Sequence, residues 1–311
     1  MDISYLLFLQ SLRESTNGIF DKFFAYVTTY GEMAGLFALF CIVYWCINKK
    51  AGEYMLLSLG FSRIINGFLK VAFCVYRPWI RDARVIPMGG GTKTATGYSF
   101  PSGHTTNATA CFGGFALNGG CHKALTVVLW ICALLVGFSR NYIGVHTPQD
   151  VIVAFIVTTL VIIGTQKLLD KFYDKPNSDF WIVGFGLLAC VLTLLYTVYK
   201  SYPMDYDSAG KIIVDPAKMV LDSYKNLGYC FGILLGWIIE KRFINFSVEG
   251  TAQQKIMRFI ICFALFQILV LIINPAIVAH MSKEVGGFFK PFMQMLYIGC
   301  IAPAIIKYAK L

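Results

Sequence analysis

The residues of this chain that could do chemistry crowd into one window. Pro101-Ser102-Gly103-His104 opens it, and Ser139-Arg140, His146 and Asp150 close it. Two of the chain's four histidines, His104 and His146, stand in these motifs, and Lys70 and Arg77 stand shortly upstream. Cations, imidazoles, a hydroxyl and a carboxylate gathered in an apolar chain are the equipment of a phosphate site. Phosphoryl transfer needs charge neutralisation on the phosphate oxygens, an in-line nucleophile and a proton for the leaving group. Arg77 and Arg140 suit bidentate hold of phosphate oxygens, and Lys70 adds a point charge. The Ser102 hydroxyl and the amides of Gly103 and His104 would be presented at a helix N-terminus, a natural anion site. His146 and Asp150 are four residues apart, so the carboxylate can orient one ring nitrogen while the other attacks phosphorus. His104 would then protonate the departing alkoxide. No His/Cys cluster with metal-ligand spacing accompanies them, so the expectation is metal-independent chemistry without a cofactor.

Each residue also has a plainer reading. Thr147-Pro148-Gln149-Asp150 is a good helix start, with Thr147 as N-cap and Asp150 closing a capping box, and taken alone Asp150 favours that role. Ser102-Gly103 alone is compatible with a turn, and His104 with a polar residue at a helix entrance. His122 and His280 have no partner at useful spacing and read as structural.

The elements that must position this window are membrane-spanning helices. The 311 residues are 57% hydrophobic and 14% charged, with a mean hydropathy of +0.63, more apolar surface than one soluble core can bury. The first residues lack the basic region of a cleavable signal, so no processing is expected. A net charge of +10 without a Lys/Arg run and interleaved aromatics argues against nucleic acid and leaves anionic lipid or an anionic substrate. The ten cysteines sit mostly in apolar runs and read as small buried hydrophobes.

The pattern predicts an all-α, polytopic transmembrane helical bundle of about nine spans. Residues 1–31 mix apolar and polar positions and read as interfacial helices, 32–175 as the core that carries the motifs, and 176–311 as additional transmembrane helices. The nine apolar segments start near residues 33, 54, 105, 124, 148, 181, 227, 259 and 291, and residues 216–224 read as a separate short surface helix. Arg63, Asn66 and Lys70 share one helical face, which Arg77 is expected to continue, so a polar stripe points inward toward the substrate. Arg63 and Asn66 are therefore secondary candidates. Two spans separate the loop that carries Arg77 to His104 from the loop that carries Arg140 to Asp150, which puts both on one membrane face. The distribution of Lys and Arg leans toward a site facing away from the cytoplasm.

Lys70-(six residues)-Arg77-Pro78, then Pro101-Ser102-Gly103-His104, then Ser139-Arg140-(five residues)-His146-(three residues)-Asp150 resembles the complete three-part signature of the type 2 phosphatidic acid phosphatase superfamily. Lipid phosphate phosphatases, bacterial class A acid phosphatases, glucose-6-phosphatase and vanadium haloperoxidases are similar at this site. The resemblance covers the middle third of the chain. It implies a helical fold, a phosphohistidine on His146 oriented by Asp150, His104 as acid and then base, and a phosphate cradle of Lys70, Arg77, Ser102, Gly103 and Arg140. The loops resemble bacterial members, which implies a bacterial cytoplasmic membrane with the site outside it. The expected substrate is a lipid phosphate or diphosphate of the phosphatidate, phosphatidylglycerophosphate or undecaprenyl diphosphate type, met among membrane lipids. A sugar phosphatase or phosphotransferase using the same site is the alternative within the enzyme class. A transporter or binding protein that holds an anion on Arg63, Asn66 and Lys70 is the alternative from another class.

Overall fold

The computed structural model describes residues 2–31, 33–89 and 91–311. Among them the chain is helical, with no strand and a lone bridge between Tyr206 and Ile212. Two amphipathic helices come first, α1 (Asp2–Ser15) and α2 (Asp21–Tyr30), followed by α3 (Met33–Ile42), which runs on as a π-helical turn. Then come α4 (Lys49–Phe73) and two short helices, α5 (Pro78–Arg81) and α6 (Gly91–Thr94). The motif helices follow: α7 (Gly103–Ala108), continued through a π turn into α8 (Gly114–Asn118), then α9 (Lys123–Tyr142) and α10 (Pro148–Phe172). The rest comprises α11 (Ser178–Tyr199), α12 (Pro216–Ile239), α13 (Ala252–Ile268), α14 (Asn274–Val278), α15 (Lys283–Leu296) and α16 (Ala302–Tyr308).

Among the described residues, six helical segments are long and apolar enough to cross a membrane: Lys49–Arg81, Lys123–Tyr142, Pro148–Phe172, Ser178–Tyr199, Ala252–Val278 and Lys283–Tyr308. The other three segments of the expected nine are helical but fall outside that set. Gly35–Ile47 is short, α7 to α8 is short and carries Thr and Asn, and α12 is diluted by Asp222, Lys225 and Asn226. The outer faces of α9, α10 and α11 expose Ile131, Leu134, Ile156, Leu160, Phe185 and Leu188. Side chains of that kind belong against hydrocarbon, and the chain is an integral membrane protein.

Two expectations are corrected. Residues 216–224 are not a separate surface helix: α12 runs unbroken from Pro216, because Asp215 caps it and Pro216 takes the first turn. Arg77 does not continue the face of α4, because the helix stops at Phe73, Cys74 turns left-handed (φ 48°), and Arg77 stands in extended backbone before α5.

The bundle is organised around α4 and α12. α4 packs against α7, α8, α10, α11 and α12, and α12 also packs against α11 and α15. A stripe of Gly228, Gly232 and Gly236 explains how close α12 and α15 come. A Cβ at Gly228 would lie 2.1 Å from the Phe288 carbonyl oxygen, and one at Gly232 would lie 2.5 Å from that of Phe292. Small residues four apart allow such backbone approach inside a membrane, where packing replaces the hydrophobic effect. At the end of the bundle away from the motif residues, Lys49 pairs with Glu240 (2.8 Å), Lys50 with Asp170 (3.2 Å), and Arg242 with Asp179. The expected buried cysteines are found: all ten are free, and seven are buried.

Candidate active site

Four helix ends meet where the motifs converge: the C-terminal ends of α4 and α9 and the N-terminal ends of α7 and α10. Lys70, Arg77, Gly103, His104, Arg140 and His146 line one cavity of about 320 Å³, joined by Arg63 and Asn66. The two loops, one on each side of the α7-to-α9 hairpin, do share one end of the bundle.

His146 is buried (2% exposed) at the end of the loop between α9 and α10. Arg77 Nη1 donates to its Nε2 at 2.9 Å, and Nδ1 faces Asp150 Oδ2 at 3.4 Å. A donor on Nε2 leaves the ring proton on Nδ1, where it can be given to the carboxylate, so Nε2 carries the lone pair, which accepts from Arg77. Burial first, and the Arg77 cation second, hold the His146 pKa well below the usual histidine value. Both causes favour the neutral ring in the folded chain.

That shift has a sign in stability. Below pH ~6.5 the unfolded chain takes up a proton here that the folded chain refuses, so stability drops with falling pH by up to about 1.4 kcal/mol per pH unit from this group. Above that range His146 contributes no pH dependence. Thermal melting of the detergent-solubilised chain from pH 8 to pH 5 should show a shallower acid loss in His146→Ala than in wild type, and parallel curves would contradict the assignment.

Asp150 performs both roles open to it. Its Oδ2 accepts from the Thr147 amide at 2.8 Å while Thr147 Oγ1 accepts from the Asp150 amide, a full capping box for α10. The same oxygen accepts from Ser99 Oγ at 2.5 Å. Ser99 is a site residue that sequence reasoning passed over. Its only signal was its place at the head of the Pro-Ser-Gly-His run, two residues before Pro101.

The cation cradle is held by backbone carbonyls. Besides His146, Arg77 donates to the carbonyls of Thr96, Gly97 and Val145 at 3.0–3.2 Å. Lys70 Nζ donates to those of Tyr98 (3.0 Å), Ser99 (3.3 Å) and Pro101 (3.1 Å), which pins the motif loop to α4. Arg140, fully buried, reaches Thr28 Oγ1 on α2. Asn66 donates to Thr106 Oγ1 at 3.0 Å.

Ser102 and Asp150 do not line the cavity. The Ser102 hydroxyl is turned to capping α7, accepting from the amide (3.4 Å) and hydroxyl (2.9 Å) of Thr105. Gly103 does line it, and a Cβ there would meet nothing within 4 Å. No packing requires glycine at that position; its missing side chain leaves room in the cavity. His122, outside the site, caps α9 by accepting from the Leu125 amide.

Sequence reasoning also missed the wall opposite the cradle. Lys218, Met219, Asp222, Ser223, Lys225 and Asn226 of α12 line the same cavity. Gly97, at φ +72°, lies so close to α12 that a Cβ there would be 2.2 Å from Met219 Cε. The loop that holds Arg77 is thereby seated on the C-terminal half of the chain.

Two family models match the chain. The PAP2 superfamily model matches residues 51–174, and a model described as the PAP2 superfamily phosphatase, transmembrane extension, matches residues 224–311. The chain belongs to the PAP2 superfamily. Among its relatives, lipid phosphate phosphatase delta of Arabidopsis thaliana is 24% identical over 55% of this chain and 44% of its own length. Undecaprenyl-diphosphatase BcrC of Bacillus subtilis (strain 168) is 27% identical over 47% of this chain and 72% of its own length. Human glucose-6-phosphatase 2 is 23% identical over 83% of this chain and 81% of its own length. The chain thus spans less than half of the Arabidopsis relative. No solved structure matches.

Proposed function

We propose that this PAP2 chain is a membrane phosphatase that hydrolyses a lipid phosphomonoester or diphosphate through a phosphohistidine on His146. The observation that carries the reading is the buried His146 of a cationic cavity, its ring held between Arg77 at Nε2 and Asp150 at Nδ1. In the first step Arg77 Nη1 turns from Nε2 to a phosphoryl oxygen, the freed Nε2 attacks phosphorus as the bond to the leaving oxygen breaks, and His104 gives that oxygen its proton. Water then attacks phosphorus, His104 takes the proton, and the N–P bond breaks to release phosphate and neutral His146. Asp150 stabilises the positive ring of the intermediate and holds its tautomer. Lys70, Arg77, Arg140 and the amides at the start of α7 oppose the charge on the phosphoryl oxygens.

The lipid substrate is supported by the position of the cavity at the ends of membrane-spanning helices, where a head group would sit, and by the names of the lipid phosphatase relatives. The long alignment with glucose-6-phosphatase 2 favours a sugar phosphate as the second reading. The site residues and a division at about residues 31 and 175 remain part of this proposal, with 1–31 lying at the interface. So does a bacterial cytoplasmic membrane with the site outside it, for which the lysine-rich far end of the bundle speaks. Purified protein should release inorganic phosphate from phosphatidate, phosphatidylglycerophosphate or undecaprenyl diphosphate with EDTA present, since cations of the chain itself oppose the phosphate charge. Release from glucose 6-phosphate alone would move the assignment to the second reading, and dependence on an added metal would overturn the mechanism.

A further inference from the structure

The cavity extends past the cradle to a second group of cations, centred on Arg63. Arg63 is two helical turns from Lys70 on α4, ~10 Å along the axis, and it lines the same cavity. Its Nη1 donates to Asn107 Oδ1 and its Nη2 to Asn226 Oδ1, both at 2.9 Å, and its guanidinium stacks over the Tyr229 ring at 4.0 Å. Its Nε is buried with no hydrogen-bond partner. Every partner is neutral, and no carboxylate among the described residues pairs with it. Nearby on α12, Lys218 (2.5 Å) and Lys225 (3.1 Å) share the single carboxylate of Asp222. This wall therefore holds three cations against one anion.

Tying α4 to α7 and α12 does not require a charge, because both acceptors are neutral amides. A cation in the middle of a spanning helix is costly, and such residues usually face a substrate path. We infer that Arg63, with Lys218 and Lys225, forms a subsite for a second acidic group of the substrate, such as the inner phosphoryl of a diphosphate or the phosphodiester of a phosphorylated head group. The inference rests on reading the cavity as a phosphate site, and it assigns the extension helix α12 a part in choosing the substrate.

The test is binding, which does not depend on turnover. Isothermal titration of the detergent-solubilised full chain would use methylphosphonate, methylenediphosphonate and propane-1,3-diphosphonate. At least one bisphosphonate should bind ~10-fold or more tighter than methylphosphonate. Arg63→Met should remove most of that gain while methylphosphonate affinity changes by less than ~3-fold, and Arg63→Lys should recover part of it. Lys225→Gln, which leaves the Arg63 ties to α7 and α12 in place, should reduce the gain as well. A gain on the one-carbon spacer identifies a diphosphate, and a gain on the three-carbon spacer identifies a head-group phosphodiester. Bisphosphonates that bind no tighter than methylphosphonate would overturn the inference, as would an Arg63→Met variant that weakens all three ligands by the same factor. Phosphate release from lipid substrates, measured on the same preparation, separates the two readings: no release with the binding pattern intact refutes the phosphatase and leaves the subsite standing.

Discussion

Replacing His146 with alanine is expected to lower phosphate release by ~10³-fold or more, in kcat and not only in KM. The size follows from the place of the ring. Its Nε2 faces Arg77 and its Nδ1 faces Asp150, so removing the ring removes the proposed nucleophile and one of the groups around the Asp150 carboxylate. The loop itself should survive. Arg77 still holds the Val145 carbonyl, and Asn141 Nδ2 still donates to the His146 carbonyl at 2.9 Å, both through backbone oxygens that alanine retains. Substrate would therefore still be drawn to the cations of the cradle. A labelled lipid phosphate should leave an acid-labile, alkali-stable label on the quenched wild-type protein and none on the variant. Turnover within tenfold of wild type would remove His146 from the nucleophile's role and with it the covalent mechanism.

Arg77→Lys is expected to cost ~10²-fold in kcat, although it keeps the charge. Arg77 is 4% exposed and spreads its guanidinium over three carbonyls and the His146 ring. Lysine offers a compact ammonium that cannot reach all of them at once, and it loses the remaining Nη2 hydrogen that the guanidinium keeps for a phosphoryl oxygen. Buried carbonyls left without a donor cost ~1–3 kcal/mol, so the variant should also melt earlier. The two effects can be told apart. If Arg77 serves only to tie the 96–97 backbone to Val145, stability falls while kcat of the folded fraction stays near wild type. If it also places charge on the phosphoryl group, kcat falls at temperatures where the variant is fully folded.

Much of the site was legible because short-range order carries it. His146 and Asp150 are one turn apart, Ser102 directly precedes a helix, and Arg63, Asn66 and Lys70 recur at helical spacing, so residue type and local periodicity suffice to place each of them. The capping box at Thr147 and Asp150 was legible for the same reason, and the hydropathy alone identified a bundle of membrane helices. The short spans were harder. α7 to α8 and α12 are helical, yet their polar residues face the cavity and lower the apolar content by which a span is recognised.

What only the tertiary structure decided lies between residues far apart in the chain. Ser99 reaches Asp150 across 51 positions, and Arg77 reaches His146 across 69. No local period encodes such pairings; they arise because four helix ends converge at one end of the bundle. The Asp150 carboxylate could be read from sequence as a cap or as the partner of His146, and it is both, because one oxygen can accept from the Thr147 amide and the Ser99 hydroxyl and still face the ring. The far wall was illegible for a related reason. Lys218, Asp222 and Asn226 look in sequence like the solvated start of a helix, and they become part of the site only because glycines at 97, 228 and 232 let α12 pack closely against the motif loop on one side and α15 on the other. The sequence by itself determined which residues can do the chemistry, since reactivity belongs to residue type and short spacing. The packing of α12 onto the motif loop determined what else lines the cavity around them, since that wall exists only when distant helices meet.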